Sequence, residues 1–258
     1  MANISNANTA AQIEKPGAHI EKPLFGHVAL VTGGSRGIGK AIAIKLAQLG
    51  SAVSICGRDR EALESVAGEL KQFSSRVLKF QADVTKAAEI SALVQATEEK
   101  LGPITVLINN AGIGNPGFGP IQEKSESDWD AVLDTNLKSV FLVSRAVAPL
   151  MIHRRNGDII NISSLAGKNT FIGGGLYCTS KWGLQGLSGC MAEDLRVHGI
   201  RVSVICPGSV ATEFSGRGSK DPTIVLRADD VAHAVAMVIL QGSQSFISEV
   251  HLRPVAKP

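Results

Sequence analysis

The sequence predicts an α/β fold, a parallel β-sheet covered by helices on both faces, and two observations predict it. Short apolar runs alternate with longer amphipathic stretches along the whole chain, with no linker-like break between them. That rhythm calls for parallel strands joined by right-handed helical crossovers. The first apolar run also passes directly into a glycine-crowded turn, Thr32-Gly33-Gly34-Ser35-Arg36-Gly37-Ile38-Gly39, which opens a helix.

The elements follow in order. His27 to Val31 reads as a buried strand, carried on to Thr32. Ile38, Ile42, Leu46 and Leu49 recur at helical spacing, and Gly50 marks a stop. Further strands are expected at Ala52–Cys56, Val77–Gln81, Thr105–Asn109, Asp158–Ser163, Arg201–Cys206 and Ser245–Leu252. Helices are expected over Ile38–Leu49, Arg60–Phe73, Ala87–Lys100, Glu126–His153, Tyr177–His198 and Ala228–Leu240. In open sheets of this kind ligands lie beyond the carboxyl ends of the strands, where the strand order reverses. The glycine turn, the Asn109 loop, Ser164 and Pro207 all follow strands, so they gather at one edge.

Composition narrows the classes. A chain of 258 residues can bury a full core and remain one domain, expected here over 24–258 after a flexible tail of residues 1–23. Hydrophobic content of 44% and charged content of 19% suit a soluble globular protein. The net charge of +3 is small and spread out, which argues against a nucleic-acid partner. No apolar stretch nears the ~18 residues of a membrane helix. Met1 to Glu21 lacks a hydrophobic signal core, so Cys56, Cys178, Cys190 and Cys206 are expected to be reduced thiols of a cytoplasmic protein. Those cysteines show no metal-ligand spacing, and His19, His27, His153, His198, His233 and His251 read as surface or packing residues, so no metal site is expected. Trp129 and Trp182 occupy helical apolar positions that suit core or interface packing.

Two groups of residues carry chemistry. Strand, glycine turn and helix in succession make a phosphate site. The missing Cβ atoms let the backbone approach a pyrophosphate, and the helix N-terminus offers unpaired N–H groups and a positive dipole end. The spacing Gly33-x-x-x-Gly37-x-Gly39 departs from the usual G-x-G-x-x-G, and an ordinary tight connection would use the same residues. Farther on, Tyr177 and Lys181 stand four residues apart, one helical turn, on one face. A tyrosine titrates at about 10, and each pH unit of depression requires roughly 1.4 kcal/mol. A cation at about 4 Å in a partly screened site supplies about 4 kcal/mol, so Lys181 is expected to bring the Tyr177 phenol towards neutral pH. The same spacing also describes an exposed helix face.

With three further segments these residues resemble the short-chain dehydrogenase/reductase family, in its compact single-domain branch. Thr32 to Gly39 is similar to the family's T-G-x-x-x-G-x-G turn, Asn109-Asn110-Ala111-Gly112 to its N-N-A-G segment, and Pro207-Gly208 to the P-G step after its sixth strand. Asn136, Ser164, Tyr177 and Lys181 fall where its catalytic tetrad lies. The resemblance covers roughly residues 24 to 252 and implies a doubly wound Rossmann fold with seven parallel strands in the order 3-2-1-4-5-6-7.

It also implies roles. Gly33, Ser35, Arg36, Gly37, Ile38 and Gly39 would border the cofactor phosphates. Asp83 and Val84 would meet the adenine ring, although Asp83 and Thr85 also suit the start of a helix. Asn110, Ala111 and Gly112 would line the adenosine and ribose pocket. Pro207, Gly208, Val210 and Thr212 would pass beside the nicotinamide. Charge selects the cofactor: the second strand ends with Gly57 where an NAD site would carry an acid, Arg58 follows, and Arg36 sits in the glycine turn. Two arginines clamp a phosphate dianion, so NADP(H) is expected. Two solvated arginines with Asp59 as the acid is the competing reading.

In the implied chemistry Ser164 holds the substrate oxygen. Ser163 is the neighbouring alternative. Tyr177 gives that oxygen a proton, Lys181 acidifies Tyr177 and holds the nicotinamide ribose, and Asn136 supports a bend in the long helix and a water beside Lys181. Glu213 to Arg227, rich in Gly, Ser and charge, is expected to be a mobile lid. Gly183, Gly186 and Gly189, three residues apart, suggest close approach of another backbone and a homo-oligomer, while Glu249-Val250-His251-Leu252-Arg253-Pro254 departs from the family's aspartate-glycine-glycine ending. The expected activity is NADPH-dependent reduction of a ketone to a secondary alcohol, with a carrier-bound 3-oxoacyl thioester as one substrate. The alternatives are a small-carbonyl or sugar alcohol dehydrogenase, and a catalytically idle NADP-binding sensor or scaffold; the chain lacks room for the sugar-binding region of a nucleotide-sugar epimerase.

Overall fold

The computed structural model describes residues 22–114, 119–215 and 224–256. The seven strands are β1 Val28–Thr32, β2 Ala52–Gly57, β3 Val77–Gln81, β4 Val106–Asn109, β5 Gly157–Ile162, β6 Ile200–Pro207 and β7 Glu249–Leu252. The α-helices are α1 Gly37–Gln48, α2 Arg60–Leu70, α3 Ala87–Leu101, α4 Glu126–Leu133, α5 Ser139–Arg154, α6 Gly175–Arg196 and α7 Ala228–Ile239. The strands form one parallel sheet in the order 3-2-1-4-5-6-7, as expected.

Central strands of such a sheet are buried on both faces and read as unbroken apolar runs. All five residues of β1 are buried. Alternation then divides them. Ala29 and Val31 enter a core with α1, α2 and α7, whereas Val28 and Leu30 enter a second core with α3, α5 and α6. Each fully buried Leu or Ile contributes about 1.5–3 kcal/mol over its exposed state. Because β1 pairs with β2 on one side and β4 on the other, the strand order reverses beside β1, and its carboxyl end is where sheets of this kind place their ligands.

Four local departures from the sequence reading have physical causes. The helix expected over Glu126–His153 is divided by a π-helical turn, Asp134–Lys138, that carries Asn136. Strand β7 is shorter than expected, because Ile247 bonds to Gln241 Oε1 and Ser203 Oγ before the ladder with β6 begins at Val204–Glu249. Trp129 and Trp182 lie 42% and 51% exposed, so of the two expected settings neither takes the core, and interface packing is not contradicted. Gly183 is filled within the chain by Leu137, while Gly186 and Gly189 have no neighbour within 4 Å of where a Cβ would stand. The segment expected as a lid keeps a short 3-10 turn at Glu213–Ser215; its centre, 216–223, and residues 1–21 of the expected tail lie outside the described residues.

Candidate active site

The site begins where β1 and β4 end. Thr32 Oγ1 donates to the Ile108 carbonyl at 3.2 Å and accepts the N–H groups of Asn110 and Ala111 at 3.0 and 3.1 Å. Asn110 returns the link, its Nδ2 donating to the Thr32 and Gly33 carbonyls at 2.9 and 3.2 Å. Strand end, glycine turn and N-N-A-G loop are thereby locked together. A Cβ at Gly39 would lie 2.2 Å from the Gly33 carbonyl oxygen, so α1 can rest on the turn only with glycine there. Gly37 adopts φ +53, the left-handed region, beside Thr212 Cγ2. The loop after β6 therefore reaches the glycine turn, and Thr212 lies against Gly37.

Charged groups gather past the ends of β1, β2 and β3. Arg36, exposed, precedes α1 in extended backbone, and Ile38 follows within that helix's first turn. Ser35 Oγ lies 3.1 Å from where a Gly57 Cβ would project. Arg58 is exposed just past β2. Asp59 caps α2, its carboxylate accepting from the N–H groups of Glu61 and Ala62 at 3.0 and 3.1 Å. Burial would raise the Asp83 carboxyl, but bonds from the Thr85 N–H and hydroxyl outweigh it, helped by the charges of Arg58 and Lys86, and the net shift is downward. Arg58 and Asp83 thus share one electrostatic neighbourhood, with buried Val84 beside them.

The third cluster spans β5, the π turn and α6. Ser164 precedes a 3-10 turn, Leu165–Gly167, and its Oγ accepts the Ala166 N–H at 3.1 Å while also bonding the Tyr177 hydroxyl. Ser163 points elsewhere and accepts from Gln185 Nε2 at 3.0 Å. Lys181 is buried and donates to the Ile162 carbonyl at 3.0 Å, with Nζ 5.8 Å from the Tyr177 ring centroid. Asn136 is fully buried, and its Oδ1 approaches the Cβ position of Gly112 to 3.2 Å. Ser164, Tyr177 and Lys181 converge, and Asn136 joins them through Ser180, whose Oγ accepts from Asn136 Nδ2 at 3.1 Å and donates to the Tyr177 carbonyl at 2.8 Å.

Sequence reasoning passed over two neighbours. Ser180 was hidden because a helical serine bonding back to its own turn gives no sequence signal. Phe214 meets the Tyr177 ring edge-on at 6.0 Å between centroids, and only its place in the expected lid hinted at it. The last expected contacts lie on the β6 loop. Pro207 ends the strand, Gly208 N–H bonds the Leu252 carbonyl at 2.9 Å, and buried Val210 bridges to Leu226.

The charge balance differs in direction from the sequence argument. Burial pushes the Tyr177 phenol up to about 12; the Ser164 bond opposes this. Burial likewise brings Lys181 down to about 8, against a small upward pull from Cys206. The ammonium is committed to the Ile162 carbonyl rather than to the phenol oxygen, so desolvation outweighs its field at Tyr177.

A parallel sheet with its glycine turn at the strand-order switch, beside a Ser-Tyr-Lys cluster, defines a dinucleotide-dependent oxidoreductase. The family model described as short chain dehydrogenase matches residues 27–223, and the chain belongs to that family. The crystal structure of a metagenomic short-chain oxidoreductase in complex with NADP is 43% identical, with a TM-score of 0.80 over 91% of this chain and 99% of that one. A 3-oxoacyl-[acyl-carrier-protein] reductase of Synechocystis is 37% identical over 202 residues, 78% of this chain and 81% of the relative. An uncharacterized oxidoreductase of Staphylococcus saprophyticus is 35% identical over 229 residues, 88% and 97% of the two chains.

Proposed function

We propose that this protein is an NADP(H)-dependent reductase that converts a ketone to a secondary alcohol. The observation that carries the proposal is the convergence of Ser164, Tyr177 and Lys181, with the phenol bonded to the serine. Cofactor fit rests on the glycine turn and its rim: Gly39 lets α1 start directly on the Gly33 turn, Gly57 brings no carboxylate to the rim, and Asp59 is occupied as a helix cap. Arg36 and Arg58 would hold the 2′-phosphate, and Gly33, Ser35, Gly37 and Ile38 would lie along the pyrophosphate. Asp83, Val84, Asn110, Ala111 and Gly112 would border the adenosine. Pro207, Gly208, Val210 and Thr212 would flank the nicotinamide. When bound, NADPH supplies the hydride.

The protein supplies the proton and the geometry. Ser164 Oγ–H donates to the substrate oxygen and holds the charge that develops there. Tyr177, protonated throughout the neutral range, transfers its phenolic proton to the same oxygen. Lys181, as the ammonium, stabilises the phenolate left behind and would bond the nicotinamide ribose. Asn136 fixes the loop before the π turn and, through Ser180, the first turn of α6 that carries Tyr177.

An apolar substrate flank is supported by the mouth of the site. Exposed Ile121 and Phe171 lie against Gly175 and Gly174 at the start of α6, and exposed Phe214 lies on Tyr177. An acyl chain suits that rim, which favours a 3-oxoacyl thioester over a sugar. A homo-oligomer is supported by an apolar groove between the π turn and α6, lined by Leu133, Leu137, Phe141, Gly183 and Leu187, near the open Gly186. Among the described residues no helix is long and apolar enough to cross a membrane, and all four cysteines are free, which supports a cytoplasmic setting.

The test is Tyr177→Phe. NADPH oxidation with a panel of ketones, a 3-oxoacyl thioester included, is expected to fall at least a hundredfold while NADPH still quenches protein fluorescence. Activity above a few per cent of wild type in Tyr177→Phe contradicts the assigned role.

A further inference from the structure

Parallel pairing places Cys206 directly opposite His251, with Glu249 two residues earlier on the same face of β7. Their ligand atoms all lie within 4.8 Å of one another. Cys206 Sγ is 3.2 Å and His251 Nε2 is 3.1 Å from the same Glu249 Oε1. Around a tetrahedral ion, donors at about 2.0–2.3 Å stand roughly 3.3–3.8 Å apart, so modest side-chain adjustment brings these three onto one centre. We propose that Cys206, Glu249 and His251 form a binding site for a divalent transition-metal ion of the zinc class, bordering the β6 loop proposed to flank the nicotinamide.

The donor set selects the ion. Thiolate, imidazole and carboxylate together favour zinc or cobalt over magnesium or calcium, which take oxygen ligands. Cys206 is buried at the strand end while His251 is exposed, so the three protein ligands converge from one side and leave a fourth position to water. Binding is a coordination step: the Cys206 thiol releases its proton to the buffer, and sulfur, imidazole nitrogen and carboxylate oxygen each donate a pair to the ion.

Lys168 competes for the same place. Its Nζ lies 2.9 Å from Glu249 Oε1, and Gln185 Nε2 lies 3.1 Å from Cys206 Sγ. A dication must displace the ammonium from the carboxylate, so Lys168 keeps the site weak and exchangeable. The linear sequence conceals the arrangement, since 43 residues separate Cys206 from Glu249 and only sheet register unites them.

The test titrates the purified full chain with cobalt(II) alone and follows the thiolate-to-cobalt charge-transfer band. One equivalent is expected to raise the band, zinc(II) to abolish it, and Cys206→Ser to lose it. Cys190→Ser should keep it. Lys168→Gln should tighten cobalt binding tenfold or more, and His251→Ala should weaken it by at least as much, with folding of each variant checked by circular dichroism. Persistence of the band in Cys206→Ser, its absence from the wild type, or unchanged affinity in Lys168→Gln overturns the proposal.

Discussion

Asn136 and Ile113 exchange two hydrogen bonds, the asparagine Oδ1 accepting the Ile113 N–H at 2.8 Å and its Nδ2 donating to the Ile113 carbonyl at 3.0 Å. One buried side chain thus takes the part of a neighbouring strand for the loop that leaves β4. The widened π turn is what lets it reach inward.

Asn136→Ala should therefore cost stability as well as turnover. Two backbone groups lose their partner, at about 1–3 kcal/mol each when buried. Because Ile113 is only half-buried, urea unfolding is expected to show a loss in the lower part of that range, about 2–4 kcal/mol in all, with kcat for ketone reduction falling more than KM for NADPH rises. An unchanged unfolding midpoint would mean that Ile113 finds other partners.

Cofactor choice is read from the end of β2. Gly57→Asp with Arg58→Ala replaces a cationic rim with an anionic one, and Ser35 Oγ, 3.1 Å from the new Cβ, can turn aside. Losing a charge-assisted phosphate contact is worth about 1.5–3 kcal/mol, so the NADPH-to-NADH ratio of kcat/KM should drop roughly 10- to 100-fold. A ratio that stays put would remove Arg58 from phosphate binding.

Lys181 makes stability and activity respond to pH in opposite senses. Its folded value, about 8, lies below the ordinary 10.5, so the unfolded chain binds the additional proton between them. The burial penalty is fully present below about 8 and is relieved as pH rises towards 10.5. Wild type should gain about 2 kcal/mol on Lys181→Met between pH 7 and pH 10 in urea titrations. Meanwhile kcat/KM for NADPH should decline through about 8 as the ammonium is lost. The two curves share one group, so both must move together.

Two glycines of similar appearance should behave oppositely. Gly39→Ala forces a Cβ to within 2.2 Å of the Gly33 carbonyl oxygen and 2.4 Å of Asn110 Nδ2, and should weaken NADPH binding at least tenfold. At Gly186 the chain itself leaves open space, and alanine adds up to about 1 kcal/mol of helix propensity. Gly186→Leu with Gly189→Leu should instead break the proposed oligomer, with light scattering reporting a smaller mass. Unchanged mass would place the interface elsewhere.

Much of this was legible in the chain because strands that end in functional loops announce themselves. Val28 to Thr32 running into Gly33 fixes the position of the candidate site, and Tyr177 with Lys181 marks the helix beside it. The resemblance placed a bend at Asn136, but the π turn that makes it was not legible from spacing, since Asp134 to Lys138 keep helical spacing on either side. The direction of the Tyr177 shift was missed for a related reason: spacing places the ammonium nearby, but says nothing of the Ile162 carbonyl that claims it. Register across β6 and β7 likewise lies outside any local pattern, which is why Cys206 and His251 looked unrelated.

The chain holds a single tyrosine, and it is Tyr177. Every phenol signal the protein emits therefore originates at the proposed proton donor. Isotope labelling of tyrosine alone would yield one resonance, and its chemical shift would report ionisation, ligand arrival and turnover directly, in unmodified enzyme and without deconvolution.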